Sequence, residues 1–191
     1  MTILHIDSAI TGEFSASREL TAAIVAALTE ADPAQSVTYR DLAAEPLSHL
    51  TLPAFADAES AEALEQFKAA DTVVIGAPMY NFTVPSQLKA WIDRLLVAGE
   101  TFRYTDTGAA EGLMSGKRVI VAVARGGLYG EGSAARSVEH AERWLADVFA
   151  FIGIDDVEFV IAEGLKVNEE VKAAAMAAAH DQARALAPVA A

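Results

Sequence analysis

Three short stretches carry the residue types that can do chemistry. Pro78-Met79-Tyr80-Asn81-Phe82 sets two aromatic rings around a side-chain amide. Ser8, Thr11, Ser15 and Ser17 gather hydroxyls ahead of Arg18-Glu19-Leu20, which has the form of a helix start. Arg125-Gly126-Gly127 closes an apolar run with two residues that have no side chain. Rings in a loop can stack on a planar ligand or plug the end of a sheet, and the stretch alone does not choose. A helix N-terminus leaves four N–H groups unpaired at the positive end of its dipole, which suits an anion. The same serines serve equally well as ordinary N-caps. Paired glycines let backbone N–H groups approach a ligand closely, though alone they are most often a turn.

The elements that must position these stretches are five strands. Thr2–Asp7 precedes the serine loop, Thr72–Ala77 the aromatic loop and Arg118–Ala124 the glycines. Such β-branched and apolar runs, flanked by helical patterns, are how parallel strands buried on both faces read. Ser36–Asp41 and Val157–Ile161 supply the other two. Helices are predicted from Ser15–Leu20 to about Ala31, Ser60 to Ala70, Pro85 to Ala98, Ala134 to Phe151 and Asn168 to Leu186. Gly99 is expected to stop the third of these. Glu100–Gly116 is polar and reads as an ordered excursion. The alternation predicts one α/β domain over residues 1–191, a doubly wound five-stranded parallel sheet with helices on both faces. Strand order 2-1-3-4-5 is one of the two common choices.

Composition narrows the function classes. A chain of 191 residues, 53% hydrophobic and 21% charged, has a core to bury and is not disordered. No apolar run reaches the roughly 18 residues of a membrane span. The N-terminus has no basic segment followed by an apolar one, so a cytoplasmic location is expected. With no cysteine, disulfides, thiolate nucleophiles, Fe–S clusters and Cys-ligated zinc are excluded. A net charge of −13 opposes binding to nucleic acid or anionic membranes.

In a sheet of this order the loops after strands 1, 3 and 4 converge at the switch point, where ligands bind. A phosphate loop, an aromatic loop and a glycine loop together describe a site for a planar cofactor bearing a phosphate. Flavin mononucleotide (FMN) fits. With Arg18 as its one nearby cation, the first loop suits a monophosphate better than a triphosphate with magnesium.

At this point the chain resembles the FMN-dependent NADH azoreductase family, flavodoxin-like enzymes that also reduce quinones. The resemblance is carried by His5-Ile6-Asp7-Ser8, Ser15-Ala16-Ser17, Ala77–Phe82, Thr101–Thr105, Glu111-Gly112-Leu113, Arg125-Gly126-Gly127, Phe151–Ile154 and Ala162-Glu163-Gly164. It implies that Ser15, Ala16 and Ser17, with Ser8, hold the FMN phosphate. It implies that Pro78, Met79, Tyr80, Asn81 and Phe82 line the flavin ring, and that Ala124, Arg125, Gly126 and Gly127 meet its pyrimidine end. Tyr104 and Phe151 match positions bordering the substrate side. The resemblance further implies a homodimer with each flavin near the subunit interface. NADH is the implied donor, with NADPH left open, and quinones or aromatic azo compounds the acceptors.

The departures are specific. Ala9 stands where a second serine is common, Ala124 where the glycine loop commonly begins with serine, and the Ser48–Glu65 connector is short. A basic substrate-facing residue found there in some members has no evident counterpart.

The implied chemistry is a two-step hydride exchange in which no protein nucleophile or general acid is named, and the Gly126 and Gly127 N–H groups stabilise reduced flavin. Competing motifs fail on context. Gly130-Glu131-Gly132-Ser133-Ala134-Ala135 matches a dinucleotide fingerprint, but it begins well past its strand and Glu163 is too far on. Asp7 lacks the acidic partners of a phosphoacceptor site. His5, Trp91 and Trp144 read as packing residues. A flavodoxin-like electron carrier and a flavin-free interaction domain are the readings from other classes.

Overall fold

The computed structural model describes residues 1–187. Its first half runs β1 (Thr2–Asp7), α1 (Ala16–Ala31), β2 (Ser36–Asp41), α2 (Ala58–Ala69), β3 (Thr72–Pro78) and α3 (Ser86–Asp93). The second half runs β4 (Phe102–Tyr104), β5 (Ala110–Gly112), β6 (Arg118–Ala124), α4 (Ala141–Phe151), β7 (Val157–Ala162) and α5 (Glu169–Ala185). Five strands pair in parallel in the order β2-β1-β3-β6-β7, the predicted 2-1-3-4-5 arrangement.

Burial explains why these runs became strands. Every residue of β3 is buried, and β6 is buried through its centre. One face packs against Leu20, Ile24 and Leu28 of α1 with Ala179 and Ala183 of α5. The other packs against Phe67 of α2, Trp91 of α3 and Phe149 of α4. Trp91 edges onto Phe67 with ring centroids 6.1 Å apart, so it is a core residue as expected. Two serviceable caps come from the sequence directly: Ser15 Oγ accepts from Arg18 N–H and opens α1, and Asn168 Oδ1 accepts from Val171 N–H and opens α5.

Two helices are shorter than their patterns predict. The third ends at Asp93 rather than Ala98. Thr101 is responsible: its hydroxyl donates to Leu95 O at 2.6 Å and accepts Val97 N–H at 3.1 Å, drawing the chain out of the helical ladder. Gly99, at φ 86°, therefore belongs to the following turn and is not the helix stop. The fourth helix begins at Ala141 rather than Ala134. Buried Glu139 accepts the N–H groups of Ala141 and Glu142 and sets the start there. Gly130–Val138 is instead a run of turns with one 3-10 turn, Arg136–Val138.

The excursion after α3 is the antiparallel pair β4–β5, closed by an Arg103–Glu111 fork at 2.9 and 3.0 Å. It docks on the end of α4 at Gly112. A Cβ there would lie 2.0 Å from Gly153 N, so the two backbones touch and only glycine fits.

Candidate functional site

The three loops converge past the carboxyl ends of β1, β3 and β6, and hydrogen bonds tie them together. Met79 N–H donates to Ala124 O at 2.8 Å, and Ile10 N–H donates to Tyr80 Oη at 3.2 Å. They enclose a cavity of about 670 Å³, within the range of small-molecule sites.

One end is the start of α1. Ser15 and Ala16 line the cavity there. Ser15 Oγ lies 3.0 Å from Ser17 Oγ, and the N–H groups of Ala16 and Ser17 have no acceptor among the described residues. That is the donor set of an anion site at the head of a four-turn helix. Ser17 is fully buried beneath the cavity surface. Ser8 is buried too, and its hydroxyl donates to Gly76 O at 2.6 Å, fastening the loop to β3.

Arg18 does not face this end. Its guanidinium grips Asp41 at 2.7 and 2.8 Å and donates to Ala9 O at 2.9 Å. The hydrogen bond to Asp41 raises the Arg18 pKa, and its counterpart holds Asp41 below the ordinary aspartate range, helped by the Ala43 and Ala44 N–H groups. Burial raises the neighbouring Tyr39 phenol, with the Asp7 and Asp41 charges acting in the same sense. His5 packs edge-on against Tyr39 with ring centroids 4.9 Å apart and lies 3.5 Å from Asp7 Oδ2.

The middle of the cavity is the turn after β3. Pro78, Met79, Tyr80, Asn81 and Phe82 all line it. Tyr80 and Thr83 exchange backbone hydrogen bonds at 2.9 and 3.1 Å, which forces the two residues between them into the left-handed region, Asn81 at φ 48° and Phe82 at φ 73°. Asparagine tolerates this and phenylalanine does not, a strain of about 1 kcal/mol or more. The strained residue is the one that presents its ring, 49% exposed, edge-on to Tyr129. Backbone strain held at a cavity wall is a mark of a working site.

The other end is Ala124, Arg125, Gly126 and Gly127, all on the cavity wall. The Gly126 and Gly127 N–H groups have no acceptor among the described residues. The Arg125 side chain turns inward instead, 1% exposed, to Glu139, Glu142 and Glu163.

Thr11, one of the hydroxyls read from the sequence, lies at the rim, while sequence reasoning missed Phe14 beside it, Tyr129, and the segment Leu165–Lys166 with Lys172. The signal for the last group was available: in order 2-1-3-4-5 the fifth strand's exit loop must neighbour the fourth's. Tyr104 and Phe151 do not border this cavity. They flank Phe102, at ring-centroid distances of 5.5 and 4.7 Å, on the surface formed by the β4–β5 pair and the end of α4.

The family model for the flavodoxin-like fold matches residues 1–187. The chain belongs to this family. Within the flavodoxin-like family it is 53% identical to an FMN-dependent NADH:quinone oxidoreductase of Xanthomonas campestris, over 97% of this chain and 99% of that protein. It is 54% identical to a protein of the same description from Gluconobacter oxydans, over 88% and 91%. Among solved structures it superposes on an azoreductase of Bacillus anthracis at a TM-score of 0.85, with 31% identity over 97% of this chain and 100% of that one. A Bacillus anthracis FMN-dependent NADH-azoreductase in complex with FMN gives the same TM-score at 28% identity, over 97% and 99%.

Proposed function

We propose that the cavity binds FMN and that the chain is an FMN-dependent NADH:quinone oxidoreductase and azoreductase, with NADPH left open as a donor. The observation that carries this is a charge contrast. The chain bears 27 acidic residues against 14 Lys and Arg, yet among the described residues no carboxylate lines the cavity, while Lys166 and Lys172 do. An acidic protein that clears one concave surface of acids, and aims unpaired N–H groups at both its ends, is built for an elongated anion.

The residues fit FMN in shape as well as sign. Ser15 with the Ala16 and Ser17 N–H groups receives the phosphate, and Lys172 and Lys166 add positive charge along the way. Met79 to Phe82 present apolar and aromatic surface to the ring, with the Asn81 amide within reach of its polar edge. The Gly126 and Gly127 N–H groups face the pyrimidine end and favour a reduced, negatively charged ring. FMN held by these residues would supply the two-electron redox chemistry between a reduced nicotinamide and the acceptor.

The open side of the cavity bears on substrate. Phe82, half exposed, and Phe14, 95% exposed, leave apolar rings at the rim that suit flat aromatic acceptors. Tyr104 and Phe151 present a second aromatic surface remote from this cavity. A homodimer would bring them to the partner's site, which is the arrangement we infer. No helix among the described residues is long and apolar enough to cross a membrane.

The test is steady-state oxidation of NADH by the purified protein with added FMN and a water-soluble quinone. Turnover that needs all three components is expected. Flavin binding without such turnover would instead indicate an electron carrier, and the enzymatic reading would be wrong.

A further inference from the structure

The Gly126–Gly127 segment has no helix or strand of its own to fix its orientation. It is fixed from behind. Leu165 N–H donates to Arg125 O at 3.1 Å, Lys166 N–H to Gly126 O at 2.9 Å, and Gly164 N–H to Gly127 O at 2.8 Å. Arg125 N–H in turn donates to Ala162 O at 2.8 Å. All three carbonyls of the segment are therefore drawn to the strand β7 side, and the Gly126 and Gly127 N–H groups are left without acceptors among the described residues.

A charge cluster built on the buried Arg125 and Glu139, with Glu142 and Glu163 partly exposed, holds this stitching in place. The Arg125 guanidinium lies 2.6 Å from Glu142 Oε2, 3.3 Å from Glu139 Oε1 and 3.5 Å from Glu163 Oε2. Glu163 Oε2 also accepts Tyr129 N–H at 2.9 Å, so one carboxylate gathers both ends of the Arg125–Tyr129 loop. Its Oε1 would stand 2.8 Å from any Cβ at Gly130, so the loop closes directly onto it. Glu139 is spoken for as well by the first N–H groups of α4. None of the three carboxylates lines the cavity.

An arginine next to an anion site ordinarily binds the anion. Here its charge is offset by carboxylates and its fork is used on the scaffold, leaving only backbone dipoles at the cavity surface. We propose that Arg125, acting with Glu163, is a positioning residue that presents the Gly126 and Gly127 N–H groups to the flavin, and so makes the site bind reduced FMN in preference to oxidised FMN. Donors fixed in advance act on developing charge without having to reorient, whereas a loose glycine loop would lose that preference. This rests on the FMN reading above.

The experiment compares Arg125→Gln, Arg125→Lys and Glu163→Gln with the unaltered protein. The dissociation constant is measured for oxidised FMN by fluorescence quenching and for reduced FMN by anaerobic equilibrium dialysis, with far-UV circular dichroism to establish folding. In Arg125→Gln, affinity for reduced FMN should fall about tenfold more than affinity for oxidised FMN, which is about 30 mV for a two-electron couple. Arg125→Lys, which keeps the charge but not the fork, should fall between. Glu163→Gln retains an acceptor for Tyr129 N–H and should shift the ratio the same way by less. If Arg125→Gln does not fold, Glu163→Gln decides alone. A ratio unchanged in the folded variants, whether both affinities fall together or neither moves, overturns the positioning role. Unaltered protein that binds neither form of FMN overturns the cofactor reading itself.

Discussion

At the α1 end of the cavity the Arg18 side chain is 16% exposed and its principal partner is Asp41, itself 22% exposed. At the glycine end the Arg125 side chain is 1% exposed among three carboxylates. In both places a guanidinium is withdrawn from the cavity and backbone N–H groups are left to face it. The depth differs because the scaffolds differ. A helix start orients its own N–H groups, since the rest of the helix fixes them. A two-glycine loop has no such support and takes its orientation from a clamp behind it. The lesson is that one kind of ligand contact can be built from regular structure at one end and from buried charge at the other, with unequal tolerance of substitution.

The largest effect expected from that inequality is on stability. Arg125→Met leaves the buried Glu139 carboxylate, 1% exposed, with only the more exposed Arg136 at 3.7 Å as a cation among the described residues, and should cost about 3–5 kcal/mol by urea unfolding. Arg18→Met leaves Asp41 in reach of water and should cost about 1.5–3 kcal/mol, the worth of its charged hydrogen bonds. Equal losses would break the comparison.

A smaller effect belongs to the α1 end alone. Ser15→Ala removes the N-cap and should lower stability by about 1 kcal/mol. It should also weaken FMN binding without altering the preference between oxidised and reduced forms, a separation that paired titrations would reveal.

Acid sharpens the comparison further. The Asp41 carboxyl has a depressed pKa in the folded protein, so its contribution is complete above the ordinary aspartate range. That contribution disappears as pH falls below about 4, through the folded value. Asp41→Asn should flatten this acid limb in thermal melts at low pH, and an unchanged limb would remove Arg18–Asp41 from the account.

The smallest effect is at the exposed rim. Lys166→Ala with Lys172→Ala should weaken FMN or donor binding about two- to fivefold at low salt, an effect that titrations near about 1 M salt should abolish.

Much of this was legible from residue types alone. β3 and β6 read as strands because apolar runs buried on both faces leave a pattern that needs no partner to interpret. Even β2, largely exposed at the sheet edge, was marked by Val37, Thr38 and Tyr39. The end of α3 and the start of α4 were not legible, because a hydroxyl from Thr101 and a carboxylate from Glu139 decide them, and neither lies within the helix it limits. The β4–β5 pair was visible only as an ordered excursion, since Arg103 and Glu111 carry no alternation and meet only in the fold.

The site divides in the same way. Its three loops follow from strand order, and their meeting could be anticipated. The direction of each arginine could not. Arg18 looks from the sequence like a group for an anion and Arg125 like one for the pyrimidine end of the ring, and pairing with Asp41 in one case and with Glu142, Glu139 and Glu163 in the other turns both away. Lys166 and Lys172 become cavity residues only through the neighbouring exit loop and the start of α5.

The account stands most directly on one absorbance experiment. Purified protein is titrated with FMN, freed of excess flavin, and treated with NADH in the absence of oxygen. Retained flavin, whose visible band near about 450 nm bleaches on adding NADH, is the predicted result. Protein that emerges colourless after the titration, with its fold intact, would contradict the assignment of this cavity to FMN.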